Sequence, residues 1–153
     1  MARVKLIPFT REYLDRSWDW LRDPEIKVLT MAPDFTREDQ IQFFESLPDR
    51  DDYKIWGVES ADGRPIGAAG LKHISGSAAE TWCYIGERAY WGRGVGGCII
   101  EACEEEARRL GIKLLTIIVH ESNERSLRTY GKMGFGLESQ DDEAHILTLV
   151  KSL

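Results

Sequence analysis

The sequence predicts one mixed α+β domain: a central, mostly antiparallel sheet of about seven strands with one parallel pair, flanked by helices. Three observations carry this reading. Residues 53–86 read as three strands separated by turn signals, an antiparallel meander. Residues 79–119 run strand, glycine-rich turn, long amphipathic segment, apolar strand, a βαβ order that requires a parallel pairing. The chain has 153 residues with no repeat, low-complexity tract or linker, the size of a single core.

In order, residues 4–9 read as the first strand. Thr10 is placed to cap a helix carrying Tyr13, Leu14, Trp18 and Leu21 at helical spacing, and Asp23-Pro24 breaks it. A short irregular or helical stretch runs on to Met31. Thr36 caps the next helix, with Ile41, Phe44 and Leu47 on one side, and Leu47-Pro48 ends it. Residues 53–59, 66–74 and 79–86 are the meander strands, joined by turns at residues 61–65 and 75–77. The helix after the glycine turn runs to Leu110. Val95, Cys98, Ile99, Ala102, Cys103 and Leu110 form its apolar face, and Glu101, Glu104, Glu105, Arg108 and Arg109 the opposite one. Glu104–Arg108 and Glu105–Arg109 fall at i,i+4 with the acid first. Gly111 ends it. Residues 112–119 are nearly continuously apolar, the pattern of a strand buried on both faces. Ser122 or Asn123 starts a further helix through Leu127 and Tyr130 to Met133, stopped by Gly134. Residues 135–139 and 144–151 are the last strands, around the acidic turn Asp141-Asp142-Glu143.

Composition excludes several function classes. Hydrophobic residues make up 42% and charged residues 30%, a globular balance. No apolar run approaches a membrane span. The start, Met1-Ala2-Arg3-Val4-Lys5, lacks an apolar stretch of signal-peptide length, so a cytoplasmic protein is expected. The net charge of −6, from 20 basic and 26 acidic side chains, speaks against nucleic acid as a partner and leans towards a cationic small substrate. It also means that any anionic ligand must be held by local features. Cys83, Cys98 and Cys103 give no disulfide framework and are expected as reduced thiols in or near the core. His73, His120 and His145 have no metal-ligand spacing, so no metal is expected.

The glycine turn Gly92-Arg93-Gly94-Val95-Gly96-Gly97 has four glycines in six positions at the start of a helix. The first amides of a helix lack partners, its dipole makes that end positive, and glycine lets backbone approach a bound group closely. A phosphate or pyrophosphate fits there, with Arg93 adding charge. The competing reading is a tight helix–sheet corner. Gly92, Gly94 and Gly97 also match the dinucleotide fingerprint. That motif needs an acid about 20 residues on, where this chain has Ile112 and Lys113. A nucleotide P-loop needs Gly-Lys-Ser/Thr, where this chain has Gly97-Cys98-Ile99.

Four segments together carry more: residues 79–86, Tyr90-Trp91-Gly92-Arg93-Gly94-Val95-Gly96, Asn123-Glu124-Arg125-Ser126, and Tyr130-Gly131-Lys132-Met133-Gly134-Phe135. They resemble the GNAT superfamily of N-acetyltransferases, and the resemblance spans essentially the whole chain. It is strongest to the branch of ribosomal-protein N-terminal, spermidine and amino-sugar-nucleotide acetyltransferases. Trp91 stands where the superfamily signature often has Gln or Arg, a form usual for this branch. The resemblance implies a GNAT-like fold with its parallel pair at the cofactor site. It implies acetyl-CoA as cofactor, with the pyrophosphate on the amides from Arg93 to Gly97 and Trp91 and Gly92 beside it. Asn123 is expected near the pantetheine arm, with helix capping as the competing reading. The backbone at Tyr84, Ile85 and Gly86 is expected to hold the thioester oxygen, where the strand parts from its neighbour. A homodimer is an assembly the resemblance allows.

Acetyl transfer to an amine needs a neutral amine, a stabilised oxygen and a proton for the leaving thiolate. Glu80 is the first candidate base, because it shares a strand face with Trp82 and Tyr84, and partial desolvation raises a carboxyl pKa. A surface glutamate is the alternative. His120 is the rival base, at the end of the apolar strand. Tyr130 matches the family tyrosine that protonates the thiolate, with Ser126 as fallback and aromatic packing as the alternative. Trp18, Trp20, Phe35, Phe43, Phe44 and Trp56 are expected mostly in the core, with some lining an acceptor pocket. Asp34 and Glu38 are candidate attractors of a cation. The expected activity is acetyl-CoA-dependent N-acetylation of a primary amine, first an amino-sugar nucleotide, then a protein N-terminus or polyamine. The rival from another class is a non-catalytic acyl-CoA-binding module.

Overall fold

The computed structural model describes residues 3–153, so Met1 and Ala2 of the N-terminal stretch lie outside it. Strand β1 (Val4–Pro8) leads into helices α1 (Arg11–Arg22), α2 (Pro24–Thr30) and α3 (Arg37–Ser46). The meander β2 (Lys54–Ser60), β3 (Pro65–Ser75) and β4 (Ala78–Ile85) follows. Then come α4 (Val95–Arg109), β5 (Leu114–His120), α5 (Glu124–Lys132), β6 (Gly136–Asp141) and β7 (Ile146–Ser152). One seven-stranded sheet runs β1-β2-β3-β4-β5-β7-β6. Every neighbouring pair is antiparallel except β4 and β5, as the βαβ order requires. No helix among the described residues is long and apolar enough to cross a membrane.

Local chemistry sets the helix boundaries. Asp23 ends α1 and caps α2: its Oδ1 accepts the N–H groups of Glu25 (2.9 Å) and Ile26 (3.4 Å), with Pro24 at the first helical position. Thr36 and Asp39 form a reciprocal capping box on α3. Thr10 stands at the N-cap of α1, but its side chain makes no capping hydrogen bond.

Helices α4 and α5 pack on one face of the sheet, where Val95, Ile99 and Cys103 meet Val58, Ile66 and Ala69, and Tyr130 joins Leu115, Ile117 and Val119. The other face carries α1 through two bare patches. A Cβ on Gly57 would lie 2.6 Å from the Tyr13 ring, and one on Gly86 2.2 Å from the Trp20 ring. Without side chains there, both rings lie down on the backbone, and the Tyr13 hydroxyl donates to Val58 O at 3.1 Å.

Four expectations need correction. Strand β5 is buried on one face only: Leu115, Ile117 and Val119 are buried, whereas Leu114 and Ile118 are exposed. At Ile118 a cavity beneath the α1–α3 layer takes the place of packed side chains, and an apolar run by itself does not reveal what lies across from it. Glu104 is not on a solvated helix face. It is buried beneath β7, where it accepts two hydrogen bonds from Lys151 Nζ (2.9 and 3.1 Å), with Arg108 at 3.6 Å. Arg109 pairs with Glu106 instead of Glu105, and Leu110 is exposed.

Breaking the buried pair strands a charge. Lys151→Met should cost about 3 kcal/mol in urea denaturation, the low end for such a break because Arg108 stays within reach. The double change Glu104→Leu with Lys151→Met should recover most of that loss; no recovery would rule out a stranded charge as the cause.

Candidate active site

Strands β4 and β5 are paired over four residues only, from Ala78↔Leu114 to Thr81↔Ile117. Beyond that point β4 stays with β3 up to Ile85↔Gly67, and β5 stays with β7 up to His120↔Ile146. The sheet therefore opens as a wedge between residues 82–85 and 118–120. Two cavities reach it. One, of about 490 Å³, lies among α1–α3 and the aromatic face of β4. The other, of about 660 Å³, lies between the glycine turn, α2 and α5. Cys83, Tyr84, Asn123, Ser126 and Tyr130 line both.

The glycines of the turn have separate jobs. Gly92 (φ 72°) and Gly94 (φ 76°) adopt the left-handed conformation that favours glycine, and Gly94 is the N-cap of α4. A Cβ on Gly96 would meet nothing within 4 Å, and Gly96 lines the cavity. A Cβ on Gly97 would press on Thr129 Cγ2 at 3.2 Å, so Gly97 serves close packing of α4 on α5. The packing reading of the motif therefore holds at Gly97, while the backbone at Gly96 is left open to the cavity. The amides of the first turn of α4, at the positive end of its dipole, have no partner within the helix.

Trp91 closes the base of the turn, donating from Nε1 to Ile85 O at 2.9 Å. Arg88 lies over the Trp91 ring at 4.7 Å. It bridges to Asp23 at 2.7 Å and to Glu25, tying α2 to the turn. That bridge holds the Asp23 carboxyl below the usual range. Arg93 folds away from the cavity, donating to Ala89 O at 3.2 Å and lying over the Tyr90 ring. Cations of this cavity come instead from Arg125 and Arg128 of α5. The sequence reading assigns neither a cationic role, although Arg125 lies in the segment that carries the resemblance. The only signal was their spacing on the short helix that follows the apolar strand.

At the junction, Tyr130 is buried and its hydroxyl lies 4.0 Å from Cys83 Sγ. Burial pushes the phenol well above its ordinary 10. Cys83 keeps some surface open to the cavities yet lies deep in the protein, and that depth pushes its thiol up to about 12. Asn123 caps α5, its Oδ1 accepting Ser126 N–H at 3.3 Å, while also lining both cavities. Of the backbone at residues 84–86, the Gly86 N–H is committed to Ile66 O at 2.7 Å, and the Ile85 carbonyl to Trp91.

The smaller cavity is aromatic. Trp82 and Tyr84 stack with centroids 6.2 Å apart, Tyr53 tilts against Trp82, and Phe43 meets Tyr53 edge-on at 5.2 Å. Trp82 Nε1–H is buried without a formed hydrogen bond, although the Tyr53 hydroxyl lies near enough to feel it. Phe35 and Phe43 line the cavity. Trp20 is buried and Trp56 packs against the core.

The two candidate bases stand apart from these walls; neither Glu80 nor His120 lines either cavity. The Glu80 carboxylate, 13% exposed, faces its cross-strand partner Lys72 at 3.4 Å and His73 at 4.0 Å. His120 Nδ1 accepts the Ser122 N–H at 3.1 Å, which places the proton of the neutral ring on Nε2. Asp34 pairs with Lys27, and Glu38 is exposed in the first turn of α3. Among the described residues, no cluster of His, Cys, Asp and Glu is arranged to hold a metal.

The chain matches the acetyltransferase (GNAT) domain family over residues 3–136. Solved structures share the fold. A domain from Methanocaldococcus jannaschii DSM 2661 superposes with a TM-score of 0.87 at 18% identity, covering 100% of both chains. Spermidine N-acetyltransferase from Vibrio cholerae, solved with CoA and spermine, gives 0.87 at 16% identity, covering 98% of this chain and 95% of that one. The Campylobacter jejuni N-acetyltransferase PseH, in complex with acetyl coenzyme A, gives 0.75 at 18% identity, covering 97% and 98%. No curated protein sequence matches.

Proposed function

The chain belongs to the GNAT acetyltransferase family, and from that premise we propose that it moves an acetyl group from acetyl-CoA directly to a small primary amine in a ternary complex. The observation that carries this is the wedge between β4 and β5, where an anion-suited cavity and an aromatic cavity share Tyr130 as a wall. Bound acetyl-CoA supplies an activated thioester. The amides of Val95 to Gly97, with Arg125 and Arg128, would hold its phosphates. The open space beside Gly96 fits a backbone-hugging diphosphate.

The amine nitrogen would bond to the carbonyl carbon as the carbon–sulfur bond breaks, the Tyr130 hydroxyl would give the departing sulfur its proton, and the proton shed by the nitrogen would return through water to the Tyr130 oxygen. A phenol raised by burial is a weaker acid towards an ordinary thiolate. The same burial that lifts the neighbouring Cys83 thiol to about 12 also desolvates a sulfur leaving there, which narrows the mismatch. Of the amides expected at the thioester oxygen, that of Ile85 is the one we assign to it, because the alternation of the ladder turns the Tyr84 and Gly86 N–H groups towards β3. We place an amino-sugar nucleotide first among acceptors, because an uncharged sugar ring lies well on the faces of Tyr53, Trp82 and Tyr84.

Two variants test this reading. Gly96→Leu should keep its thermal midpoint within a few degrees and lose coenzyme A binding by about 100-fold in calorimetric titration; unchanged affinity would remove the turn from the cofactor site. Tyr130→Phe should bind coenzyme A normally and lower kcat by about 10²-fold in a thiol-release assay. An unaltered kcat would leave Tyr130 as packing. A chain that binds acetyl-CoA tightly and turns over no amine is a binding module.

A further inference from the structure

We infer that the acceptor cavity takes its amine already neutral, and so selects amines of low basicity, α-amino or sugar amino groups, over alkylamines and polyamines. The inference rests on the acetyl-transfer reading and adds the acceptor's protonation state and chemical class.

Its basis is an inventory of the groups facing the amine. Among the described residues lining the smaller cavity, Asp39 of α3 is the sole carboxylate. It accepts the Thr36 N–H at 2.9 Å within the capping box, which holds its carboxyl below the usual range. From β3 the cavity receives Lys72, itself a cation. Just before β2, Tyr53 is pushed up to about 12 by burial. Tyr84 and Cys83 of β4 and Tyr130 of α5 are raised for the same reason. All four are protonated donors at neutral pH. Helix α1 contributes Ser17, whose hydroxyl donates to Leu14 O and accepts from Gln40 of α3. Helix α2 adds Leu29 and Thr30, and β5 adds Ile117 to Val119, none of which titrates. Glu80 and His73 stand behind Lys72, and His120 is turned to Ser122. On the cofactor side, Glu25 is held by Arg88, and Glu124 stands beside Arg125 and Arg128.

An ammonium entering this cavity meets one counter-charge, the Asp39 carboxylate, which is exposed and screened by water, and Lys72, whose charge Glu80 already offsets; the walls at the junction, Trp82, Cys83, Tyr84 and Tyr130, carry none. Attraction to the ring faces is smaller than the cost of stripping its water. The chain's overall acidity, which by itself leans towards a cationic substrate, reaches these walls only as the exposed Asp39. The proton is then lost to water before binding, and the amine's own basicity sets how much reactive form exists. At pH 7 an amine with a pKa near 8 is about one-tenth neutral, whereas an alkylamine near 10.4 has about 200-fold less of that form.

The test is kcat/KM against pH, from 6 to 10.5, with glucosamine, phenylalaninamide, phenethylamine and spermidine as probes. The expected profile is one rising limb whose midpoint follows each amine's own pKa. At pH 7 phenylalaninamide or glucosamine should exceed spermidine by at least about 50-fold. The limb should persist in Glu80→Gln and His120→Gln. A limb at one fixed pH for all amines, its disappearance in either variant, or preference for spermidine at pH 7 would overturn the inference while leaving acetyl transfer standing. Coenzyme A binding without turnover of any probe would instead overturn the acetyl-transfer reading, and this inference with it.

Discussion

Everything in this molecule turns on where one strand pairing stops. Four residue pairs join β4 to β5, enough to carry the sheet across from the meander to the C-terminal strands. Past Thr81 and Ile117 each strand is fully engaged on its other side. Strand β4 is held by β3, and its end is pinned by the Trp91 hydrogen bond to Ile85 O; β5 is held by β7 along its whole length. A sheet opened by simple fraying would leave unsatisfied backbone edges at a cost. Here one edge of each strand stays paired, so the opening is shaped by two rigid borders. Edge amides there are available to a ligand without any rearrangement.

Burial then decides the chemistry at that opening. Tyr130, Cys83, Tyr84 and Tyr53 come from three different stretches of chain, yet all are driven towards their protonated forms by the same loss of water. The junction is thus a place of neutral donors and apolar surface. Charges are handled at its margins: Arg125 and Arg128 on one side, the Lys72–Glu80 pair on the other. That division suits a reaction in which neutral amine and thioester meet in a dry space while the ionic part of the cofactor stays outside it.

Much of this was legible in the sequence. Asp23-Pro24, Thr36 and the glycine turn announced their boundaries because capping and turn chemistry are local. The shared face of Glu80, Trp82 and Tyr84 followed from strand alternation. What was not legible depended on register and on neighbours from afar. Glu80 meets Lys72 because the β3–β4 hairpin aligns them, with an irregularity between Lys72 and Ser75 that no turn rule specifies. Glu104 looked solvated until β7 laid Lys151 over it. Arg93 looked like the charge of the turn, but the Tyr90 ring and Ala89 carbonyl claim it.

The two cavities also divide the chain by origin. The walls of the aromatic one come largely from residues 9–55, with the β4 face as its floor. The other draws chiefly on the glycine turn and α5, in residues 91–130. Changes in α1 or α3 would therefore alter what is modified without touching the donor's cavity, whereas α2 walls both. In such a scaffold, substrate preference can drift freely across descendants while the shared junction around Tyr130 and the cofactor machinery stay fixed. Divergence in α1 and α3 is where kin of this chain would differ most in biology.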